Sequence, residues 1–177
     1  LPFFDELKKH YPHALLKAHG RYVGLPPNQD GNSEAGHLNI GAGRIVEQDA
    51  VYISKAIADG TFFKNQALIS AIDHALQCKS NLHLMGLFSS GSVHAYLAHL
   101  FALVDLAKRS NVINLKLHLF TDGRDSGLKE APVLIKKVQD YLSQAGIGQI
   151  ATVMGRDYAM DRSQNWDLTE KAYELMA

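Results

Sequence analysis

From Leu82 onward the chain alternates apolar runs of strand length with stretches of helical period, and no other feature constrains its fold as much. Leu82–Phe88, Leu115–Phe120 and Ile150–Met154 read as strands. Val93–Lys108, Ala131–Gln144 and Trp166–Met176 read as helices. Strands that alternate with helices are joined by right-handed crossovers, which predicts an α/β fold with a mostly parallel sheet (a βαβαβα core) covered on both faces.

Upstream the pattern differs. Phe3, Phe4, Leu7 and Tyr11 recur at helical spacing until Pro12 stops them, and His13–Ala18 fits a short strand or a turn. Gly24-Leu25-Pro26-Pro27-Asn28 reads as loop. A helix is expected over Gln48–Ala58 with Gly60 past its end, and Asn65 can cap another in which Leu68, Ile72 and Leu76 repeat every fourth residue. A modest boundary is expected near residues 46–60, where the glycine- and asparagine-rich segment gives way to regular helices.

Ligands of open α/β sheets bind beyond the carboxyl ends of the strands. All three expected strands run there into polar, glycine-bearing loops: Ser89-Ser90-Gly91-Ser92-Val93-His94, Thr121-Asp122-Gly123-Arg124-Asp125 and Gly155-Arg156-Asp157, with Arg162 shortly after. If the strands are neighbours, His94, Arg124, Arg156 and Arg162 face one crevice. Guanidinium groups grip phosphate and carboxylate through paired donors, so this edge fits a small, multiply anionic ligand. Asp125 can orient Arg124 or accept a ligand hydroxyl. Each arginine taken singly reads better as a surface ion pair, and that reading weakens only because one edge collects them on consecutive units. His94 is expected to open a helix, as a solvent-facing first-turn residue or as a phosphate contact or proton donor.

The densest chemistry lies earlier. Residues 31–44, Gly-Asn-Ser-Glu-Ala-Gly-His-Leu-Asn-Ile-Gly-Ala-Gly-Arg, hold four glycines and two asparagines around Ser33. Gly31 and Asn32 tolerate positive φ, so a sharp turn before Ser33 is cheap and would expose its hydroxyl as a nucleophile. The competing reading makes Ser33 the N-cap of a short helical turn, and the local residues favour it.

Several function classes drop out. Formal net charge is zero and the pI is about 7.3, so no global field selects nucleic acid or an anionic membrane. The lone Cys78 excludes an internal disulfide or a multi-cysteine metal site, and its helical setting suggests a half-buried small hydrophobe. There is neither a membrane-length apolar run nor a signal-peptide pattern. Gly146-Ile147-Gly148-Gln149-Ile150-Ala151 matches a dinucleotide fingerprint in letters, but it precedes a strand instead of following one.

Residues 31–44 resemble the nucleophile segment of the 2,3-bisphosphoglycerate-independent phosphoglycerate mutases. Gly86-Leu87-Phe88-Ser89 through His94, Asp122-Gly123-Arg124-Asp125, and Gly155-Arg156 with Tyr158-Ala159-Met160-Asp161-Arg162 and Trp166-Asp167 resemble the same family in the same order. The resemblance implies a cytoplasmic, glycolytic isomerase that interconverts 3-phosphoglycerate and 2-phosphoglycerate through a phosphoserine, without free bisphosphoglycerate. It implies Ser33 as nucleophile and as ligand to one of two Mn2+ or similar ions. His94, Arg124, Asp125, Arg156 and Arg162 become the phosphoglycerate-binding residues.

By the same resemblance residues 1–47 belong to a phosphatase domain and 48–177 to a transferase domain, each in part. The partner is then a small-molecule substrate, with no nucleic acid or membrane, and the full-length enzyme is expected to be monomeric. The chain opens on Leu1 and lacks the family's other metal-binding segments, so it is expected to be a fragment without mutase activity of its own. Three positions depart from the family pattern. Ser90 and Ser92 stand where an aspartate and a glycine are usual, and Asp157, in place of a tyrosine, is expected to pair with Arg156. Those departures keep open a degenerate anion-binding domain, beside another metal-dependent phosphatase or phosphomutase on the same scaffold.

Overall fold

A computed structural model describes residues 1–27, 29–91 and 93–177. Asn28, at the end of the expected loop, and Ser92, one of the three departures, lie outside the described residues. The chain divides into two compact units, Leu1–Gln48 and Asp49–Ala177.

The first unit contains helices α1 (Pro2–His10) and α2 (Ser33–Ala42), with one 3-10 turn, Gly20–Val23, between them. Residues 13–18 form neither the expected strand nor a turn. Val23, Leu25 and Ala35 make a small buried cluster. Asn39 ties it together: its amide donates to the carbonyls of Val23 (3.1 Å) and Ala35 (2.6 Å), and its oxygen accepts from Val46 N–H (3.0 Å).

The second unit begins with α3 (Asp49–Asp59) and α4 (Gln66–Gln77). Gly60 adopts the left-handed conformation past α3, and Asn65 caps α4 by accepting from the N–H groups of Ala67 and Leu68, as the residue types predict. Cys78, at the end of α4, is exposed, since it lies off the apolar stripe that buries Ile72 and Ala75.

The β/α alternation follows as β1 (Leu82–Phe88), α5 (Leu97–Arg109), β2 (Leu115–Thr121), α6 (Ala131–Ala145), β3 (Gln149–Gly155), the short α7 (Arg156–Ala159) and α8 (Trp166–Met176). The strands pair in parallel in the order β1-β2-β3. Gly146 ends α6 in the left-handed conformation and Gly148 leads into β3, which accounts for the false dinucleotide motif as a helix-to-strand turn.

Side chains alternate across the sheet. Leu115, Leu117 and Leu119 of β2 are almost fully buried on one face, packed with Ile72 of α4, Val104 of α5, and Leu134 and Val138 of α6. The opposite face is covered less evenly: Met85 on β1 is 63% exposed, whereas His118 on β2 and Met154 on β3 are buried. The strand order explains this, because two successive right-handed crossovers between sequential neighbours place α5 and α6 on the same face.

His118, on that opposite face, is buried through polar partners. Its Nε2 lies 2.9 Å from His83 Nδ1 on β1, and its Nδ1 lies 2.9 Å from Thr152 Oγ1 on β3. Burial first, then the neighbouring His83, holds the His118 pKa below its ordinary value. Among the described residues no helix is long and apolar enough to cross a membrane.

Candidate active site

Ser33 is the first residue of α2, and its side chain is exposed. It is not the cap. That role belongs to Asn32, whose side-chain oxygen accepts from Ala35 N–H at 2.8 Å. The expected positive-φ turn is also absent, because Asn32 is extended at φ −132° and ψ 167°. Gly31 is required for another reason: a Cβ there would stand 1.7 Å from the carbonyl oxygen of Ala18. Starting the helix one residue earlier frees Ser33 from capping and places it in the first turn of α2, the end of a helix at which a negatively charged phosphate is favoured.

His37, one turn on, does not activate this serine through Nδ1. Its Nδ1 lies 2.7 Å from the Ser33 carbonyl oxygen and 3.1 Å from Ser33 Oγ. A carbonyl can only accept, so Nδ1 carries the proton and has no lone pair with which to take one from the hydroxyl. Ser33 therefore needs activation from elsewhere. Among the described residues no three His, Cys, Asp or Glu side chains converge as a metal site, so this chain alone does not fit a metal pair around Ser33.

In the second unit the strand ends bring the expected cations together. His94, Arg124, Arg156 and Arg162 all line one cleft of about 430 Å³, with Asp157 and Asp161 on its wall. His94 arrives differently from the expectation. The helix begins only at Leu97, so His94 sits on the preceding loop. That loop packs closely at Gly91, where a Cβ would stand 1.7 Å from the Asp125 carbonyl oxygen.

Asp125 does not hold Arg124. Its Oδ2 accepts from Arg156 Nη1 at 2.7 Å and lies 3.8 Å from His94 Nε2, because the parallel register brings the ends of β2 and β3 side by side. The expected Asp157–Arg156 pair is absent as well. Arg156 Nη1 is committed to Asp125 and Asp122, while Asp157 remains exposed. Ser90 is also engaged: its hydroxyl donates to Glu130 Oε2 at 2.6 Å, and Gly127 N–H donates to the same oxygen at 3.2 Å. Two of the three departures thus leave Arg156 and the His94 loop supported.

The residue that sequence reasoning passed over is Asp122. Only 1% of its side chain is exposed, and it accepts four hydrogen bonds: from Ser89 Oγ (2.5 Å), Arg156 Nη1 (2.6 Å), Arg124 N–H (3.0 Å) and Asp125 N–H (3.1 Å). Burial alone would raise its pKa. The donors, Ser89 first, outweigh burial and hold it down at about 2. The two carboxylates, Asp125 first, raise the Arg156 pKa in turn. An aspartate two and three residues before N–H groups in a glycine-bearing turn was the available signal.

Residues 53–177 match the family model described as "BPG-independent PGAM N-terminus". The chain is 53% identical over 175 residues to the 2,3-bisphosphoglycerate-independent phosphoglycerate mutase of Clostridium acetobutylicum, covering 99% of this chain and 34% of that protein. It is 52% identical over 176 residues to the enzyme of the same name from Moorella thermoacetica, with the same coverage. Among solved structures, Leishmania mexicana phosphoglycerate mutase at low cobalt concentration superposes with a TM-score of 0.81 at 29% identity, over 96% of this chain and 32% of that one. The chain thus spans about a third of the length of the relatives it matches.

Proposed function

Because the chain belongs to the 2,3-bisphosphoglycerate-independent phosphoglycerate mutase family, we propose that it supplies the nucleophile and the glycerate-binding cleft of an enzyme that interconverts 3-phosphoglycerate and 2-phosphoglycerate. One observation carries the proposal: His94, Arg124, Arg156 and Arg162 converge on a single cleft. A phosphoglycerate bears a carboxylate and a phosphate, and arginines match both through paired donors. Among the described residues Arg156 uses only Nη1 on protein partners, which leaves Nε and Nη2 for a ligand.

The chemistry divides between the two units. Ser33 Oγ attacks phosphorus and gives up its proton. The bond from phosphorus to the C3 oxygen breaks, and that oxygen takes up a proton, leaving phosphoserine and glycerate. The glycerate, held by the cationic cleft, reorients. Its C2 hydroxyl then takes the phosphoryl group back from Ser33, so no free bisphosphoglycerate is consumed. By this proposal residues 1–47 act as part of a phosphatase domain and 48–177 as part of a transferase domain.

Metal dependence, with two Mn2+ or similar ions and Ser33 among their ligands, belongs to the same proposal. Bound ions would supply charge compensation at the phosphoryl group. The described residues offer Ser33 and no converging set of three ligands, so most of the ligands would come from outside this chain.

The test is a coupled assay of the polypeptide at the full length of its relatives, with Mn2+ and without added bisphosphoglycerate. Mutase turnover is expected, and Ser33→Ala should lower kcat by about a thousandfold or more. Turnover that persists in Ser33→Ala, or that requires bisphosphoglycerate, would contradict the proposal.

A further inference from the structure

Asp122 lies outside the wall of the cationic cleft, yet it touches the segments that build that wall. Its donors come from the ends of all three strands: Ser89 after β1, the backbone of Arg124 and Asp125 after β2, and Arg156 after β3. None of them belongs to the apolar core. Ser89 is itself buried and also accepts from Gly91 N–H at 3.0 Å, so the network extends into the loop that carries His94.

We propose that Asp122 is a positioning residue for the cationic cleft, its buried carboxylate setting Arg156 and the backbone of the Arg124 and His94 loops in ligand-binding register. The inference rests on the phosphoglycerate reading of the cleft.

A core polar group that served only the fold would have no reason to draw its donors solely from ligand-facing loops. The charge is essential to the role. Arg156 Nη1 reaches Asp122 and Asp125 at nearly equal distances, 2.6 and 2.7 Å, and so is fixed between two anions. Without the Asp122 charge, only Asp125 would hold Arg156, and Asp125 also lies 3.8 Å from His94. The arginine would then swing toward Asp125 and away from its place opposite the ligand. An arginine fixed before the ligand arrives loses less side-chain freedom on binding, which is how such an anchor gains affinity.

The test is calorimetric titration of 3-phosphoglycerate into the full-length polypeptide and its variants, with thermal unfolding recorded for each. Asp122→Asn keeps the size and removes the charge. It should bind about tenfold to a hundredfold more weakly, the loss expected for one charge-assisted contact. Arg156→Gln should weaken binding comparably, and adding Asp122→Asn to it should cost less than about twofold further, because the two act as one unit. Ser89→Ala leaves the carboxylate in place and should weaken binding about threefold, which gives a reading even if Asp122→Asn does not fold.

Unchanged affinity in Asp122→Asn, or in Ser89→Ala where the first variant is unfolded, would overturn the positioning role. So would an equal loss in the presence and absence of Arg156. Failure of the unsubstituted protein to bind 3-phosphoglycerate would instead contradict the phosphoglycerate reading itself.

Discussion

Arg156 and Asp122 show how much of this site is decided by single atoms. One guanidinium nitrogen takes two carboxylates, and one of those carboxylates takes three further donors. Asp122 should therefore titrate far below an ordinary aspartate, with a midpoint near 2 in a carbon-13 NMR titration of its carboxyl group. A folded pKa below the unfolded value means stabilisation that is present above about pH 4 and lost as pH falls through about 2, on the order of 2 kcal/mol. A midpoint near 4 would show that the four donors do not hold the charge. The residue types of the site were legible in the sequence, since His94, Arg124, Arg156 and Arg162 do share one cleft. Their pairings were not. Asp125 adjoins Arg124 in the chain but bonds Arg156, and only the strand register brings those two together. Ser33 shows the same limit: a cap shifted by one residue separates a structural serine from an available one.

At the scale of elements, period and punctuation were enough for every strand and for all the long helices of the second unit. They failed where neither signal exists. α7 is four residues long, too short to show a period, and α5 starts at Leu97 because Val93–Tyr96 form the loop that delivers His94 to the cleft. Cover on the second sheet face could not be read from strand patterns either, because strand order decides it. That face carries a titratable group with a measurable consequence. His118 bridges His83 and Thr152 across the three strands with its pKa held below the ordinary 6.5. The neutral form is the one the fold accommodates, so its contribution is intact above pH 6.5 and declines as pH falls below that value. The thermal midpoint of the protein should drop between about pH 7 and 5, and more steeply than in His118→Gln. Parallel slopes for the two proteins would mean that His118 does not titrate with unfolding.

The whole molecule is two compact units with unequal interiors. Residues 49–177 enclose a core shared by three helices and the sheet, whereas residues 1–48 bury a cluster of three apolar residues around Val23. Ser33 belongs to the smaller unit, the cationic cleft to the larger. The proposed reaction needs both, together with metal ligands that the described residues do not assemble. The 177-residue chain assayed alone with Mn2+ is therefore expected to show no mutase turnover, and turnover in a coupled assay would refute that expectation. The central claim is that Ser33 carries the phosphoryl group between two positions of one glycerate. It is tested most directly by mixing the full-length polypeptide with 3-phosphoglycerate and Mn2+, quenching within milliseconds, and mapping phosphate by mass spectrometry. Phosphate on the peptide containing Ser33, absent from Ser33→Ala, is the predicted result. Turnover with no phosphate on that peptide at any quench time would contradict it.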